Sequence, residues 1–230
     1  MHQVLMINCS PHGSQSACYQ LATEMIQALR HGHPEIQVVE RDLVADPLLP
    51  VGPAYAHGIL DGHADDDPAF EQSERLIVEL ERCDLLLIAT PIHNFTLPAA
   101  LKLWIDNVVR IRRTCDSGPR GKVGLLADRP VYILVSSGGS HRGPAARQPE
   151  FLTSYLRHVL DSVGLCDVHF VYLQGTIRGR DAVSAELEAA RRQLAFEPLF
   201  TQLQHAEAAG SGSRRADFNL NQPSHLTPNA

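Results

Sequence analysis

A chain of 230 residues, 44% hydrophobic and 20% charged, is long enough for one ordinary domain whose core needs no metal or disulfide. Its formal charge of −6 leaves no broad cationic surface, so nucleic acid is not an expected partner. No apolar run approaches the ~20 residues of a membrane span, so no membrane partner is expected. The start MHQVLMINCS lacks the basic opening and cleavage site of a secretory leader, and the five scattered cysteines read as reduced, mostly buried thiols of a cytoplasmic protein.

Val4 to Asn8 is a short apolar run ending at CSPHGS, the pattern of a buried strand that opens into a loop. From Ser16 the apolar positions Tyr19, Leu21, Ala22, Met25, Ile26 and Leu29 keep helical spacing until Gly32. IQVVERDL predicts a second strand. Residues 44–68, rich in Pro, Gly, His and Asp, read as a long surface excursion, with the aspartates of DDDP as solvated charge. AFEQSERLIVELERC predicts an amphipathic helix with Leu76, Ile77, Leu80 and Cys83 on one side. DLLLIATP predicts a strand buried on both faces, and a helix that accepts Pro98 in its first turn runs on to about Arg110. CDSGPRGKVGLLADRP reads as a second loop-rich insertion. VYILVSSGG, PEFLTSYLRHVLDSVG, DVHFVYLQG and DAVSAELEAARRQLAFEPLFTQL then supply a strand, a helix, a strand and a closing helix. The folded domain is expected over residues 1–204, and 205–230, poor in core-forming residues, as a disordered tail.

This alternation predicts an α/β fold: a doubly wound sheet of five parallel strands with helices on both faces, flavodoxin-like or Rossmann-type. Ligands of such sheets sit beyond the carboxyl ends of the strands, where CSPHGSQS, PIHNF and SSGGSH should converge. In the first loop Ser10, Ser14 and Ser16 lead into a helix whose unpaired amides suit a phosphate, although a simple N-cap explains a serine there equally well. In the second, Asn94 either faces a ligand or closes an Asx-turn. In the third, Ser136, Ser137, Gly138 and Gly139 either let backbone approach a flat ring or make a plain turn. No G-x-G-x-x-G or G-x-x-x-x-G-K-[ST] fingerprint is present, which weakens the dinucleotide and P-loop readings. A phosphate at one end and a hydrogen-bonding ring at the other describe FMN. His31, His33, His57 and His63 lack zinc-ligand spacing, so no metal is expected, and the run Lys102, Arg110, Arg112, Arg113 reads as a solvated helix end.

Three blocks carry a resemblance: Cys9-Ser10-Pro11-His12-Gly13-Ser14-Gln15-Ser16, Pro91 to Pro98 continuing through Leu101, Lys102, Asp106 and Arg110, and Ser136 to Gly139. They are similar to those of the FMN-dependent NADH-azoreductase family, a flavodoxin-like group of NAD(P)H:quinone oxidoreductases, and the likeness spans residues 3 to 178. The resemblance implies strand order 2-1-3-4-5 and one FMN per subunit of a homodimer. Ser10, Ser14, Gln15 and Ser16 would hold its phosphate, Ile92, His93, Asn94 and Phe95 would line the ring, and Ser136 to Gly139 would meet the pyrimidine edge. It further implies NAD(P)H as co-substrate, ping-pong turnover, and quinone, azo or nitro acceptors. An electron carrier, or a regulatory protein that keeps the fold without catalysis, is the alternative. This chain departs from the family at His93, where tyrosine is usual, and at Cys115 and Ser117, where an aromatic pair is usual. The serine loop is also shorter than usual by about two residues. A more polar pocket is therefore expected, one that favours quinones over azo dyes. His93 itself could donate a proton to the reduced acceptor.

Overall fold

The structure, a computed structural model, describes residues 1–119 and 121–201. The tail expected at 205–230 lies outside them. Five strands form one parallel sheet: β1 (Gln3–Asn8), β2 (Gln37–Asp42), β3 (Leu85–Pro91), β6 (Val131–Ser137) and β7 (Val168–Gln174), in the order β2-β1-β3-β6-β7. β4 (Cys115–Gly118) and β5 (Gly121–Gly124) lie in an insertion between β3 and β6. Counted without them, the order is the expected 2-1-3-4-5. Central strands β1, β3 and β6 are almost wholly buried, whereas edge strand β2 is half exposed, which is why QVVERD carries charge and LLLIAT carries none.

Side chains alternate across a strand, so each strand supplies two cores. Leu5, Ile7, Leu86, Ile88, Ile133 and Val135 pack towards α3 (Glu71–Arg82), α4 (Ala99–Val108) and α5 (Leu152–Asp161). Val4, Met6, Leu85, Leu87, Tyr132, Leu134, Val171 and Leu173 pack towards α1 (Ala17–Gly32) and α6 (Arg180–Leu194). Both terminal helices thus lie on one face. Glu24 of α1 and Arg191 of α6 lock them together through two hydrogen bonds of 2.7 Å.

Two insertions are more ordered than their composition predicts. The 44–68 excursion contains a helix, α2 (Pro53–Asp61), started by proline at its first position. The helix is held because Phe70 packs edge-on to Tyr55, at 5.3 Å between ring centroids, and lies over Gly58, where a Cβ would stand 2.8 Å from the ring. The segment read as a second loop folds into an antiparallel hairpin, β4 (Cys115–Gly118) with β5 (Gly121–Gly124). Close backbone contact seats it: a Cβ on Gly124 would fall 2.0 Å from the Gly164 nitrogen, so glycine is needed there.

The basic run is also corrected. Arg110 is not a solvated helix end; its side chain is 1% exposed. It bonds Ser73 and Asp65 at 3.1 and 2.7 Å, pairs with Glu74, and stacks 4.7 Å over the Phe70 ring. Arg113 bridges Glu74 and Glu81. Asp65 of DDDP is thus a structural partner, and Asp67 caps the turn at Pro68–Phe70 through the Ala69 amide. The excursion is fastened to α3 and α4 by charge.

Candidate functional site

At the carboxyl ends of the strands a cleft of about 930 Å³ opens on the α1/α6 side. The three expected loops meet there. Ser10, Gln15, Ser16, Ile92, His93, Ser136, Ser137 and Gly138 all line it. Ser14, Asn94, Phe95 and Gly139 belong to the same loops but are not among the lining residues.

The first loop is shaped from below by Asn8, which sits fully buried at the end of β1. Its side chain donates to Asp42 at 2.9 Å and accepts from the Ser10 amide at 3.1 Å. Burial raises the Asp42 carboxyl, but bonds from the Ala45 amide, Asn8 and the Val44 amide outweigh it and hold the group below the usual range. Ser10 then accepts from the His12 amide, and a single 3₁₀ turn, Gly13–Gln15, delivers Ser16 as N-cap of α1. The Ser16 hydroxyl accepts from Tyr19 at 3.4 Å. Both readings of that serine therefore hold at once: it caps the helix and faces the cleft. The turn consumes the amides of Gly13, Gln15 and Ser16 internally. Donors left for a ligand are the serine hydroxyls, Gln15 and the Ala17 and Cys18 amides at the start of α1, since the Tyr19 and Gln20 amides are taken by Ser16.

The second loop turns back on itself. His93 and Thr96 exchange backbone bonds of 2.8 and 3.0 Å around Asn94 and Phe95, which sit at φ +47° and +73°. Two successive left-handed residues make a type I′ turn, where asparagine is at home and phenylalanine is strained by about 1 kcal/mol. The turn points His93 into the cleft and leaves Phe95 45% exposed beside it. The Phe95 carbonyl accepts from Phe151, itself 57% exposed.

In the third loop Gly138 lies against the exposed side chain of Ile177, which would have to shift for a larger residue. A Cβ there would stand 2.9 Å from the Ile177 side chain. The Ser137 hydroxyl donates to the Gly139 carbonyl at 2.8 Å, and Thr176 donates to the Ser137 carbonyl at 3.2 Å. Among the described residues the amides of Gly138 and Gly139 donate to nothing. Cys115 is buried under the hairpin and Ser117 is exposed on β4; neither lines the cleft.

A fourth wall was not foreseen. Thr176, Ile177, Gly179, Arg180, Val183, Ser184 and Leu187 complete the cleft from the turn after β7 and the start of α6. The rule that located the other loops applies equally to this strand end, and QGTIRGR carries the same glycine punctuation.

The lining contains His12, His93 and Arg180 and no aspartate or glutamate, in a chain with 26 acidic residues. Two thiols lie just beneath it. Burial pushes the Cys18 thiol up to about 12 and Cys9 higher still, so both stay protonated and inert. Among the described residues no group of three or more His, Cys, Asp or Glu could hold a metal, and no helix is long and apolar enough to cross a membrane. Hydroxyl and amide donors at one end, unused backbone N–H groups at the other and no repelling carboxylate suit an anionic, flat, hydrogen-bonding ligand such as FMN.

Comparison with known proteins agrees with this geometry. Residues 2–196 match the family model described as flavodoxin-like fold. The chain is 59% identical over 203 residues to "FMN-dependent NADH:quinone oxidoreductase 4" of Pseudomonas fluorescens, covering 88% of this chain and 98% of that one. It is 49% identical over 199 residues to "FMN-dependent NADH:quinone oxidoreductase 5" of Burkholderia lata, covering 86% and 96%. Among solved structures, an azoreductase of Bacillus anthracis superposes with a TM-score of 0.70 at 25% identity, over 83% of this chain and 97% of that one.

Proposed function

This chain belongs to the flavodoxin-like family that includes the FMN-dependent NADH:quinone oxidoreductases, and we propose that it passes electrons from NADH to quinones through FMN seated in the cleft. The observation that carries the proposal is the convergence of Ser10, Gln15 and Ser16 with Ile92, His93 and Ser136 to Gly138 on one cleft free of carboxylates. When bound, FMN supplies the two-electron chemistry, accepting hydride from the nicotinamide and returning it to the acceptor.

The chain's own residues bind and orient. Ser10, Gln15, Ser16 and the start of α1 would take the phosphate, with Ser14 on the same turn but outside the lining, and helix-end amides and hydroxyls would replace its water. The free amides of Gly138, in the lining, and Gly139, next to it on the same loop, would meet the pyrimidine edge of the ring, where preorganised donors would favour the reduced state. Ile92 and the I′ turn wall the ring, with Asn94 and Phe95 setting the direction of His93. His93 offers a polar wall where an aromatic one would be more apolar, and a proton for the leaving acceptor. Azo and nitro compounds are proposed as slower acceptors, because flat apolar dyes gain less from a histidine than from a tyrosine.

Phe95 and Phe151, exposed side by side at the rim, support a homodimer that covers them. Free thiols at Cys9, Cys18, Cys83, Cys115 and Cys166 support a reducing compartment, the cytoplasm. One cleft serving both substrates in turn predicts ping-pong kinetics. With NADH and benzoquinone both varied, reciprocal plots should be parallel; intersecting lines would overturn the shared cleft. His93→Phe should flatten the pH profile of turnover, and an unchanged profile removes the proton-donor role.

A further inference from the structure

We infer that Arg180 and Ser184 of α6 form a second wall of the phosphate site, so that the cofactor's phosphate is gripped from two helices. This rests on the FMN reading above and adds binding residues from outside the three loops.

The placement follows from helix geometry. Glu24 and Arg191 are bonded to each other and so fix one common level on the paired helices α1 and α6. From that level Ala17, the first residue of α1, lies seven residues outward, and so does Ser184 on α6. At ~1.5 Å per residue both stand ~10 Å above the ion pair, which sets Ser184 opposite the start of α1. Arg180, one turn further out, overhangs that position by ~6 Å. An arginine side chain can reach down over such a distance, and the four-residue spacing keeps both side chains on one helix stripe. Both residues line the cleft together with Ser16, Ala17 and Gln20.

The side chains are free for such a role. Among the described residues Arg180 has no carboxylate partner and Ser184 no hydrogen bond. Arg178, two residues earlier, is by contrast spent on the Ser140 hydroxyl at 2.9 Å and does not line the cleft. Arg180 is the one arginine in a lining without carboxylates. A guanidinium fork matches phosphate oxygens in a way that serine hydroxyls and single amides do not. Because the first loop spends the Gly13, Gln15 and Ser16 amides on its own turn, charge from a neighbouring helix is what completes the neutralisation of a dianion.

The test separates phosphate from ring. Apoprotein is titrated with FMN and with riboflavin, which lacks the phosphate, and binding is read from quenching of flavin fluorescence. Arg180→Gln should weaken FMN about tenfold, as expected for loss of a charge-assisted bond, and leave riboflavin within about twofold. Arg180→Lys should recover part of the loss, and Ser184→Ala should weaken FMN about threefold. Arg192→Gln removes the same charge from the far end of α6, ~18 Å away, and should change neither ligand. If Arg180→Gln alters FMN and riboflavin equally, or neither, the second wall is wrong while the cofactor assignment stands. If the unaltered chain binds neither flavin, the cofactor assignment fails and this inference falls with it.

Discussion

Two arginine settings on opposite faces of the sheet divide the molecule. On the α3/α4 face Arg110 and Arg113 are surrounded by Asp65, Glu74 and Glu81, and the Arg110 side chain is 1% exposed. On the α1/α6 face Arg180 stands at a cleft wall with no acidic neighbour in the lining. The first setting satisfies its charges within the protein and so fixes structure. The second leaves its charge for something else. Burial of a charge is costly unless it is paired, which is why Arg110 keeps its acidic partners, whereas the exposed Arg180 stands unpaired without that cost and its charge stays available to a ligand.

The largest expected effect is on the paired side. Arg110→Met should cost about 3 kcal/mol, the low end for breaking a buried pair, because Glu74 keeps Arg113 and Asp65 can turn to water. Urea unfolding should show this, with the FMN-to-riboflavin affinity ratio unchanged. Arg180→Gln should do the reverse, shifting stability by less than about 0.5 kcal/mol as exposed sites do. If both variants destabilise equally, the division between the two faces is lost.

Acid should sharpen the contrast by a smaller amount. Burial raises the Glu74 carboxyl, but bonds from Arg113 and Arg110 more than offset it; Glu81 is lowered chiefly by its bond from Arg113. Asp84 is lowered by the His2 and Gln3 amides. Each folded value lies below the unfolded one, so the unfolded chain binds more protons as the pH drops. Their stabilisation is therefore full above about pH 4.5 and is lost as the pH falls through the lower folded values. Urea midpoints between pH 6 and pH 3 should fall in this window, and less steeply in Arg113→Gln. Equal slopes in both proteins would show that the network contributes nothing.

The same two faces explain what could be read from the sequence. Strands β1, β3 and β6 were legible because burial on both sides leaves continuous apolar runs, and the rule of carboxyl-end loops then brought residues from three distant segments together. The helix Pro53–Asp61 was hidden because its stability comes from Phe70 against Gly58 and Tyr55, contacts that no local pattern encodes. The hairpin of β4 and β5 was hidden because one of its glycines, Gly124, is there for contact with Gly164 and not for a turn. Arg110 read as solvated because its partners Asp65 and Glu74 are distant in sequence. Asn8 was passed over although it is a buried polar residue at a strand end, the same signal that drew attention to His93 and Asn94.

FMN is proposed to sit in the cleft beside α1 and α6 and to be reduced there by NADH. The absorption spectrum of the purified chain, reconstituted with FMN and freed of excess, tests this most directly. The expected result is a yellow protein with one flavin per chain, bleached by NADH under nitrogen and restored by benzoquinone. A colourless protein after reconstitution, or bound flavin that NADH leaves oxidised, would contradict it.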